Sequence, residues 1–366
     1  MGKQKKVRIG FVGVGSMGQC AHLRNYVTIP DCEVVAIAEI RPQLAEKVAA
    51  RYGVPAVYRD HHAMLASEDL DGVVASQMFD CHATLLPEIY GRVKCVFTEK
   101  PLAISVSAGE KLAQLAAKTK TVHMVGYHKR SDPATEYVKN IIDTWKKSGE
   151  MGTMKYVRIL MPSGDWIANG FRELITSDEP LPPIKREPPM TELKGAVNGK
   201  PMWDWKPPAG DYVRFVNYYI HQVNLLRYLL GEPYEVAYAD PSGVVMAVES
   251  RSGIPGVIEM SPYSTTVEWK ESALIAFEHG YIRLSLPAPL ACNRAGHVEI
   301  YRDPKPGQTP QRISPTLPWV HAMRRQAENF VAVCQGKKRP PCDATEAVED
   351  LRVALQYIRL RFAGKR

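Results

Sequence analysis

Three glycines near the start of the chain have the spacing of a dinucleotide-binding turn. They stand in the segment GVGSMG, at the end of the apolar run VRIGFV. In such a turn the first glycine lets the chain leave a strand sharply, the second lets the backbone approach a pyrophosphate, and the third lets helix and strand pack closely. The helix that follows offers unpaired N–H groups to the phosphates. The predicted dinucleotide-binding residues of this turn are Gly13, Gly15, Ser16, Met17 and Gly18.

An acidic residue follows at the distance expected for the same kind of site. The second apolar run, EVVAIAE, ends at Glu39, which lies 21 residues (39 − 18) beyond Gly18, against about 20 in the known motif. A carboxylate here accepts hydrogen bonds from the adenosine ribose and repels a 2′-phosphate, which favours NAD over NADP. Arg41 can accommodate that phosphate, although a solvated residue before a helix is the simpler interpretation. We predict that Glu39, Ile40 and Arg41 contact NAD.

The elements around these residues alternate between short apolar runs and amphipathic stretches. The stretches are rich in Ala, Leu, Glu and Lys and have helical spacing. Strands that alternate with helices imply a parallel sheet covered on both faces. We therefore predict a doubly wound Rossmann domain over residues 1–126, an α/β fold. Its strands are predicted at 7–13, 33–39, 72–75, 95–98 and 121–126, and its helices at 17–27, 42–52, 82–93 and 105–118.

Bulk composition excludes several other classes of protein. The 366 residues exceed what one hydrophobic core usually serves, which predicts two domains. No apolar run is long enough for a membrane span, and the N-terminus leads into a strand rather than a signal peptide, so we expect a cytoplasmic protein. The net charge of +8 accompanies no nucleic-acid-binding motif. Seven cysteines without CxxC or Cys/His spacing argue against disulfides and against a metal site.

Beyond about residue 150 the pattern becomes rich in β-strands with short connections. Turn signals such as DPSG and RSG separate neighbouring runs. We predict a second, α+β domain over residues 127–366 with a large, mostly antiparallel sheet. Its strands are predicted at 155–160, 234–239, 243–249, 256–261, 272–278, 281–286 and 297–301, and two closing helices at 319–334 and 345–362.

The segment 162–210 contains nine prolines and three tryptophans. So many prolines exclude regular structure through most of it. A loop of this length in a compact enzyme is usually a lid, a binding loop or an oligomer arm. Trp203 and Trp205 have faces that suit stacking on a sugar ring, and anchoring of the loop in place of a core is an equally good interpretation.

Four segments resemble one known family of enzymes. The predicted strand 95–98 leads into TEKPLA, residues 98–103, at the edge of the sheet where ligands of α/β folds bind. The segments VGYHKRSDP, GTMKYVRI and NYYIHQVNLLRYLLG follow in the family's order. Together with the glycine turn, they make the chain similar to the Gfo/Idh/MocA oxidoreductases, which include glucose–fructose oxidoreductase and inositol dehydrogenase.

The resemblance implies hydride transfer between NAD and a secondary hydroxyl or ketone of a sugar, cyclitol or glycoside. That reaction needs a base and a group that stabilises the developing alkoxide. A histidine on an apolar helix is by itself more often a core residue, but the resemblance implies that His221 is the base and that Lys100 supplies positive charge. Asn217, four residues earlier on the same predicted helix face, joins them. Asn224, one turn later, is a weaker substrate candidate.

The resemblance also implies further cofactor contacts, and the sequence departs from the family in two places. Ser76, Gln77 and His82 follow the predicted strand 72–75 in a loop that lacks the proline often found there, and Glu99 precedes Lys100. All five, Lys100 included, are expected near the cofactor. Asn217 and Asn224 stand where many members have acidic residues. An amide can hydrogen-bond a hydroxyl but cannot share in removing its proton, so His221 would remove the proton with Lys100 alone. These departures weaken a simple polyol-dehydrogenase assignment.

Two alternatives from other functional classes stay open. One is an NAD-dependent glycosidase, in which transient ring oxidation acidifies a neighbouring C–H bond for elimination. The other is a non-catalytic NAD-binding regulator, against which the retention of Lys100 and His221 argues. In each case the expected partners are a carbohydrate-like small molecule and further copies of the chain, as a homodimer or homotetramer, with neither nucleic acid nor membrane.

Overall fold

A six-stranded parallel sheet forms from the short apolar runs of the first third of the chain. The computed structural model describes residues 5–187, 190–193, 204–303 and 307–363. The strands lie in the order β3-β2-β1-β4-β5-β6, which confirms the predicted doubly wound sheet. Every residue of β4 and β5 is buried, as expected for strands with helices on both faces. The strands are β1 Val7–Val12, β2 Cys32–Ala38, β3 Ala56–Tyr58, β4 Gly72–Ala75, β5 Cys95–Glu99 and β6 Val122–Gly126.

The helices of this domain differ from the prediction mainly in the first predicted helix. The stretch predicted as one helix over 17–27 is a π-helical segment, Gly18–Leu23, followed by a short helix. The edge strand β3 and the helix after it were not predicted, because a three-residue strand with partly exposed side chains gives little periodic signal. The helices are α1 Arg24–Tyr26, α2 Pro42–Tyr52, α3 His61–Ser67, α4 His82–Ile89 and α5 Val106–Lys118.

The second sheet has eight strands in the order β14-β13-β12-β11-β7-β10-β9-β8. Neighbouring strands are antiparallel except β7 and β10, which confirms a mostly antiparallel sheet. Buried and half-exposed side chains alternate along β11, and α6 and α8 contact strands of this sheet. Its elements are α6 Pro133–Ser148, β7 Met154–Ser163, α7 Ala209–Tyr218, α8 Ile220–Leu230, β8 Tyr234–Ala239, β9 Val245–Ser250, β10 Pro255–Ser264, β11 Glu271–Phe277, β12 Gly280–Leu286, β13 His297–Arg302 and β14 Gln311–Ile313.

The proline-rich segment is irregular, as predicted. Between the end of β7 and the start of α7, the described residues form neither α-helix nor strand. Trp203, a predicted substrate contact, lies outside the described residues. None of the described helices combines the length and hydropathy that a bilayer span requires.

The two compact units are discontinuous in sequence, in contrast to the predicted division into 1–126 and 127–366. The first comprises Met1–Tyr127, Asn169–Met190 and Met323–Val348, and the second comprises the segments in between and the C-terminal residues from Glu349. Two helices close the chain, α9 Ala322–Cys334 and α10 Ala344–Arg361. Apolar packing explains the return of α9 to the first unit. The ring of Phe330, a fully buried residue, lies 5.7 Å from that of Phe97 on β5 and 6.3 Å from that of Tyr26, between ring centroids.

This packing predicts a large effect of shortening Phe330. Phe330→Ala should lower the free energy of unfolding by about 3–5 kcal/mol, because it leaves a cavity in the core of the first unit. Trp319→Ala is the control: its side chain is 84% exposed, and its loss should change stability by less than about 0.5 kcal/mol. Urea unfolding followed by circular dichroism measures both, and equal effects would mean that α9 is not part of this core.

Candidate functional site

A cleft of about 410 Å³ lies at the carboxyl ends of β1, β2, β3 and β4. Many of the residues predicted to bind the dinucleotide line it together. Those of them in the lining are Gly13, Gly15, Glu39, Ile40, Arg41, Ser76 and Gln77. Ligands of open α/β sheets bind at this edge, next to the strand where the order reverses. The cleft is therefore the candidate cofactor site, and all of it belongs to the first unit.

The glycine turn has the geometry that the sequence predicted. Gly13 has φ +84°, a backbone conformation that side chains disfavour, and a Cβ there would lie 2.6 Å from the Gln77 Nε2 atom. A Cβ on Gly18 would lie 2.8 Å from the carbonyl oxygen of Gly13, so its absence permits close packing. Gly15 faces open space at the cleft. Exposed Ser16 and half-buried Met17 follow outside the lining.

Glu39 links the turn to the end of β2. Its buried carboxylate accepts a hydrogen bond from the Val14 N–H at 3.0 Å and one from the Arg41 Nε at 2.8 Å. A buried charge needs such partners. Arg41 is thus paired with Glu39 rather than solvated alone, which differs from the sequence interpretation. This pair forms the edge of the cleft where the ribose of the adenosine is expected.

The loop after β4 contributes polar atoms to the same cleft. The Ser76 Oγ and Gln77 Oε1 atoms are buried and have no hydrogen-bond partner among the described residues. Buried polar atoms normally have partners, so these two are available to a bound ligand. His82 is fully buried at the start of α4, outside the lining, and its Nδ1 lies 3.0 Å from the Leu102 carbonyl oxygen. Burial lowers the pKa of His82, which keeps its imidazole neutral.

Glu99 holds the end of β5 and with it Lys100. The Glu99 carboxylate lies 2.8 Å from the Nε2 of His22 and accepts the backbone N–H of Lys100 at 3.2 Å. Burial acts to raise the pKa of Glu99, but the hydrogen bond and charge of His22, with the charge of Lys100, hold it below its usual value. Glu99 therefore stays ionised and fixes the backbone of half-buried Lys100. Neither residue lines the cleft.

Two contacts, one behind the glycine turn and one at the end of β5, were missed by sequence reasoning. His22 is 77 positions from Glu99, and no local pattern joins them. The buried side chain of Gln19 donates to the Val14 carbonyl oxygen at 2.7 Å and also bonds the backbone of Ile175. The sequence shows only that Gln19 and His22 are polar residues in the stretch predicted as a helix, and it does not show their partners.

A substrate role was predicted for the part of the proline-rich segment around Trp203 and Trp205, and an earlier part of the segment lines the cofactor cleft. The residues concerned are Leu181, Pro182, Pro183, Ile184 and Lys185. Residues 169–190 belong to the first unit, as the rest of the cleft lining does.

His61 and Glu88 border the cleft as well. Their Nε2 and Oε2 atoms are 2.7 Å apart, and the ring of His62 lies beside that of His61. These three residues bring possible metal-ligand atoms within 4.8 Å of one another. The expected absence of a metal, drawn from the cysteines alone, stays a prediction.

In the second unit, His221 is the second residue of α8 and is half-buried. Its ring packs edge-to-face on that of buried His128, with 4.6 Å between ring centroids. The helix predicted to carry both Asn217 and His221 is interrupted at Tyr219, so exposed Asn217 lies on α7 and His221 on α8. Neither proline nor glycine marks this interruption in the sequence.

Asn224 and Trp205 are both buried. The Asn224 Oδ1 accepts from the Nε of Arg130 and its Nδ2 donates to Asp350, each at 2.6 Å. Arg227 donates to the other oxygen of Asp350 at 2.8 Å. The amide of Asn224 is thus engaged within the protein, and Trp205 is 7% exposed, which matches the anchoring interpretation.

NAD fits the residues of the cleft. The turn leaves open space at Gly15, Ser76 and Gln77 supply polar atoms without internal partners, and Glu39 offers carboxylate oxygens at the expected ribose position. Three large apolar side chains that are unusually exposed, Ile40, Met78 and Leu181, converge on the same cleft. Together they suit an adenine ring.

Known proteins resemble the chain in both sequence and fold. Residues 7–127 match the family model described as oxidoreductase family, NAD-binding Rossmann fold. The myo-inositol 2-dehydrogenase of Thermotoga maritima is 24% identical over 274 residues, which are 70% of this chain and 68% of that protein.

Among solved structures, a protein from Desulfitobacterium hafniense, provisionally described as an NADPH-dependent oxidoreductase, has a TM-score of 0.75 at 17% identity and covers 99% of this chain and 97% of its own. An oxidoreductase from Agrobacterium radiobacter, solved with NAD⁺, L-tartaric acid and magnesium, has a TM-score of 0.69 at 13% identity and covers 99% and 98%. These likenesses show the fold. One of the two proteins is described with NADPH and the other with NAD⁺, so the predicted preference for NAD over NADP depends on residues of this chain.

We therefore predict tighter binding of NAD(H) than of NADP(H). Glu39→Gln keeps an acceptor for the Val14 N–H but removes the negative charge. It should therefore lower the ratio of the Kd for NADP(H) to the Kd for NAD(H) by about 10-fold to 100-fold. Glu33→Gln, at the exposed opposite end of β2, is the matched control and should change neither affinity. Titration calorimetry measures the Kd of both cofactors for the unaltered protein and for the two variants. Equal or tighter binding of NADP(H) by the unaltered protein would mean that Arg41 governs this pocket.

Proposed function

We propose that the chain is a Gfo/Idh/MocA oxidoreductase, on the match of residues 7–127 to the model of that family's NAD-binding Rossmann fold. It would transfer a hydride between nicotinamide and a secondary hydroxyl or ketone of a sugar, cyclitol or glycoside. The observation that carries this proposal is the cleft in which the glycine turn, Glu39 and the loop after β4 meet. A cyclitol substrate is supported by the name of the myo-inositol 2-dehydrogenase relative. When bound, NAD supplies the hydride acceptor, and its reduced form the donor.

Lys100 is proposed to stabilise the developing alkoxide. It stands directly after β5, at the carboxyl edge of the sheet, and its backbone is fixed by the ionised carboxylate of Glu99. Glu99 in turn is held by His22. The fixed backbone places the lysine at the edge of the sheet where ligands bind. A positive charge there would stabilise the negative charge that develops on the substrate oxygen in the transition state.

His221 is proposed to accept the hydroxyl proton. Imidazole titrates close to neutral pH, and His221 is half-buried rather than fully enclosed. The next residue, Gln222, donates to the buried carboxylate of Glu271 at 2.7 Å, which also pairs with Lys129. These buried contacts hold the first turn of α8. Asn217 is proposed to hydrogen-bond the substrate, since it is exposed and its amide cannot remove a proton.

Asn224 is better assigned a positioning role than the substrate contact suggested by the sequence. Both of its amide atoms bond buried charged groups, Arg130 and Asp350. These bonds tie α8 to α10 within the second unit. Asn224 would then support His221 from the next turn of the same helix.

The glycosidase alternative uses the same cofactor and differs in its net reaction. Transient oxidation followed by elimination would return NAD unchanged, whereas a dehydrogenase releases NADH with its ketone. A regulator would bind NAD and turn over nothing. The cytoplasmic location stays a prediction.

The outer face of the second sheet supports self-association. Side chains on this face alternate with the buried ones and include half-exposed Leu160, Leu274 and Val257. In the register of β11, β7 and β10, Leu274 and Val257 are both paired with Arg158. We propose that a second copy of the chain covers this face, as a homodimer or a homotetramer.

The oligomer proposal predicts that a charge on this face disrupts assembly. Leu274→Arg should shift the mass measured by light scattering to a smaller species, because a buried unpaired charge costs several kcal/mol. Leu360→Arg, at a side chain 41% exposed on α10, is the control and should leave the mass unchanged. A monomeric unaltered protein would refute the proposal.

The catalytic proposal predicts losses of rate without loss of cofactor. His221→Ala should lower kcat by about 10²-fold to 10⁴-fold, the usual contribution of a positioned acid–base group. Lys100→Ala should be similarly severe, and the double variant should cost much less than the product of both, because groups that act as a unit are non-additive. NADH affinity should persist in all three, since the cleft lining is unchanged.

The matched control is His279→Ala, which removes an exposed histidine from the turn between β11 and β12. Steady-state kinetics on a substrate found by screening, with NADH binding by fluorescence, provide the readouts. Near-normal kcat in His221→Ala would assign the base to another residue and reduce His221 to a packed helix residue.

A further inference from the structure

The part of the proline-rich segment that lines the cleft is held on both sides by specific contacts. We define residues 175–187 as the strap. On its N-terminal side, the backbone of Ile175 exchanges two hydrogen bonds with the buried side chain of Gln19, at 3.0 and 3.1 Å. Gln19 also bonds the carbonyl oxygen of Val14. The strap is therefore connected directly to the glycine turn.

The next contact of the strap lies at the start of α2. The carboxylate of Glu179 accepts the backbone N–H groups of Gln43 and Leu44 at 3.0 and 2.9 Å. These N–H groups have no partner within the helix, and a negative charge at a helix N-terminus is favourable. Helix α2 begins directly after Arg41, so this contact fixes the strap beside the expected ribose position.

The C-terminal side of the strap is anchored at the start of α5. The carboxylate of Glu187, which is 9% exposed, accepts the N–H groups of Ile104 and Ser105 at 2.9 and 3.1 Å, and the Ser105 hydroxyl at 2.7 Å. Arg186 pairs with the buried carboxylate of Asp80. Carboxylates on helix N-termini thus hold the strap before and after its central residues.

The central residues of the strap, 181–185, have the sequence LPPIK and line the cleft. Two consecutive prolines restrict the backbone, which favours a preformed surface. Leu181 is 53% exposed, and the other rim side chains Ile40 and Met78 are 40% and 44% exposed. Such exposure of large apolar groups around one cleft points to an apolar ligand surface.

We infer that the strap completes the adenosine half of the dinucleotide site, and that the cofactor leaves only when the strap undocks. The inference rests on binding of NAD in this cleft, as proposed above. Leu181 and Ile184 supply apolar surface for the adenine, and the Glu187 anchor keeps that surface in place. The strap therefore sets the rate of cofactor release.

The test is the dissociation rate of NADH from the full-length protein. NADH is preloaded and displaced by excess NAD⁺ in a stopped-flow instrument, with NADH fluorescence as the readout. Glu187→Gln weakens the charge-assisted anchor and should raise the rate about 10-fold to 100-fold. Leu181→Ala removes an apolar contact to the adenine and should raise the NADH dissociation rate about threefold to tenfold. Leu181 is not part of the core, so this variant should fold. It stays informative if Glu187→Gln fails to fold.

The matched control is Glu173→Gln, just outside the strap, where an exposed pair with Arg51 is lost. NADH should dissociate from this variant at the same rate as from the unaltered protein. If both strap variants also release NADH at that rate, the strap inference is overturned while the cofactor site stands. If the unaltered protein binds no NADH, the cofactor proposal itself fails.

Discussion

Buried carboxylates at the carboxyl edge of the parallel sheet are the interaction on which the cofactor domain depends. Glu39 holds Val14, Glu99 holds His22 and the backbone of Lys100, and Glu187 holds the start of α5. A carboxylate removed from water is tolerated only when hydrogen-bond donors surround it, so each of these groups fixes the loop that supplies its donors. The loops that must meet a dinucleotide are thereby ordered before it arrives, which reduces the entropy lost on binding.

The same principle governs the second unit. Glu271 and Asp350 are almost fully buried and bind Gln222, Asn224 and Arg227 within α8. Burial raises the pKa of Asp350, while Arg227 and Arg130 oppose that effect. Removing one partner from such a network leaves an uncompensated charge in the interior. The helix that begins at Ile220 is therefore fixed by electrostatics as well as by apolar packing.

Local features of the sequence predicted the sheet and the glycine turn well, because their signals lie within a few residues. The turn at Gly13 and the carboxylate at Glu39 depend on spacing along one βαβ unit, which a single sequence displays. Contacts between distant residues gave no such signal. The pairing of Gln19 with Ile175, 156 positions away, and the packing of Phe330 on Tyr26 become visible only in three dimensions. The interruption at Tyr219 carries no proline or glycine, so the helix was predicted as continuous.

We propose that the chain exchanges a hydride with a polyol through NAD. The most direct measurement incubates the full-length protein and NAD with a panel of cyclitols, sugars and glycosides, myo-inositol included, and follows NADH absorbance together with the organic product. The account predicts that NADH accumulates in equal amount to a ketone for at least one member of the panel. Conversion of a panel member without net change in the cofactor would contradict it and favour the glycosidase.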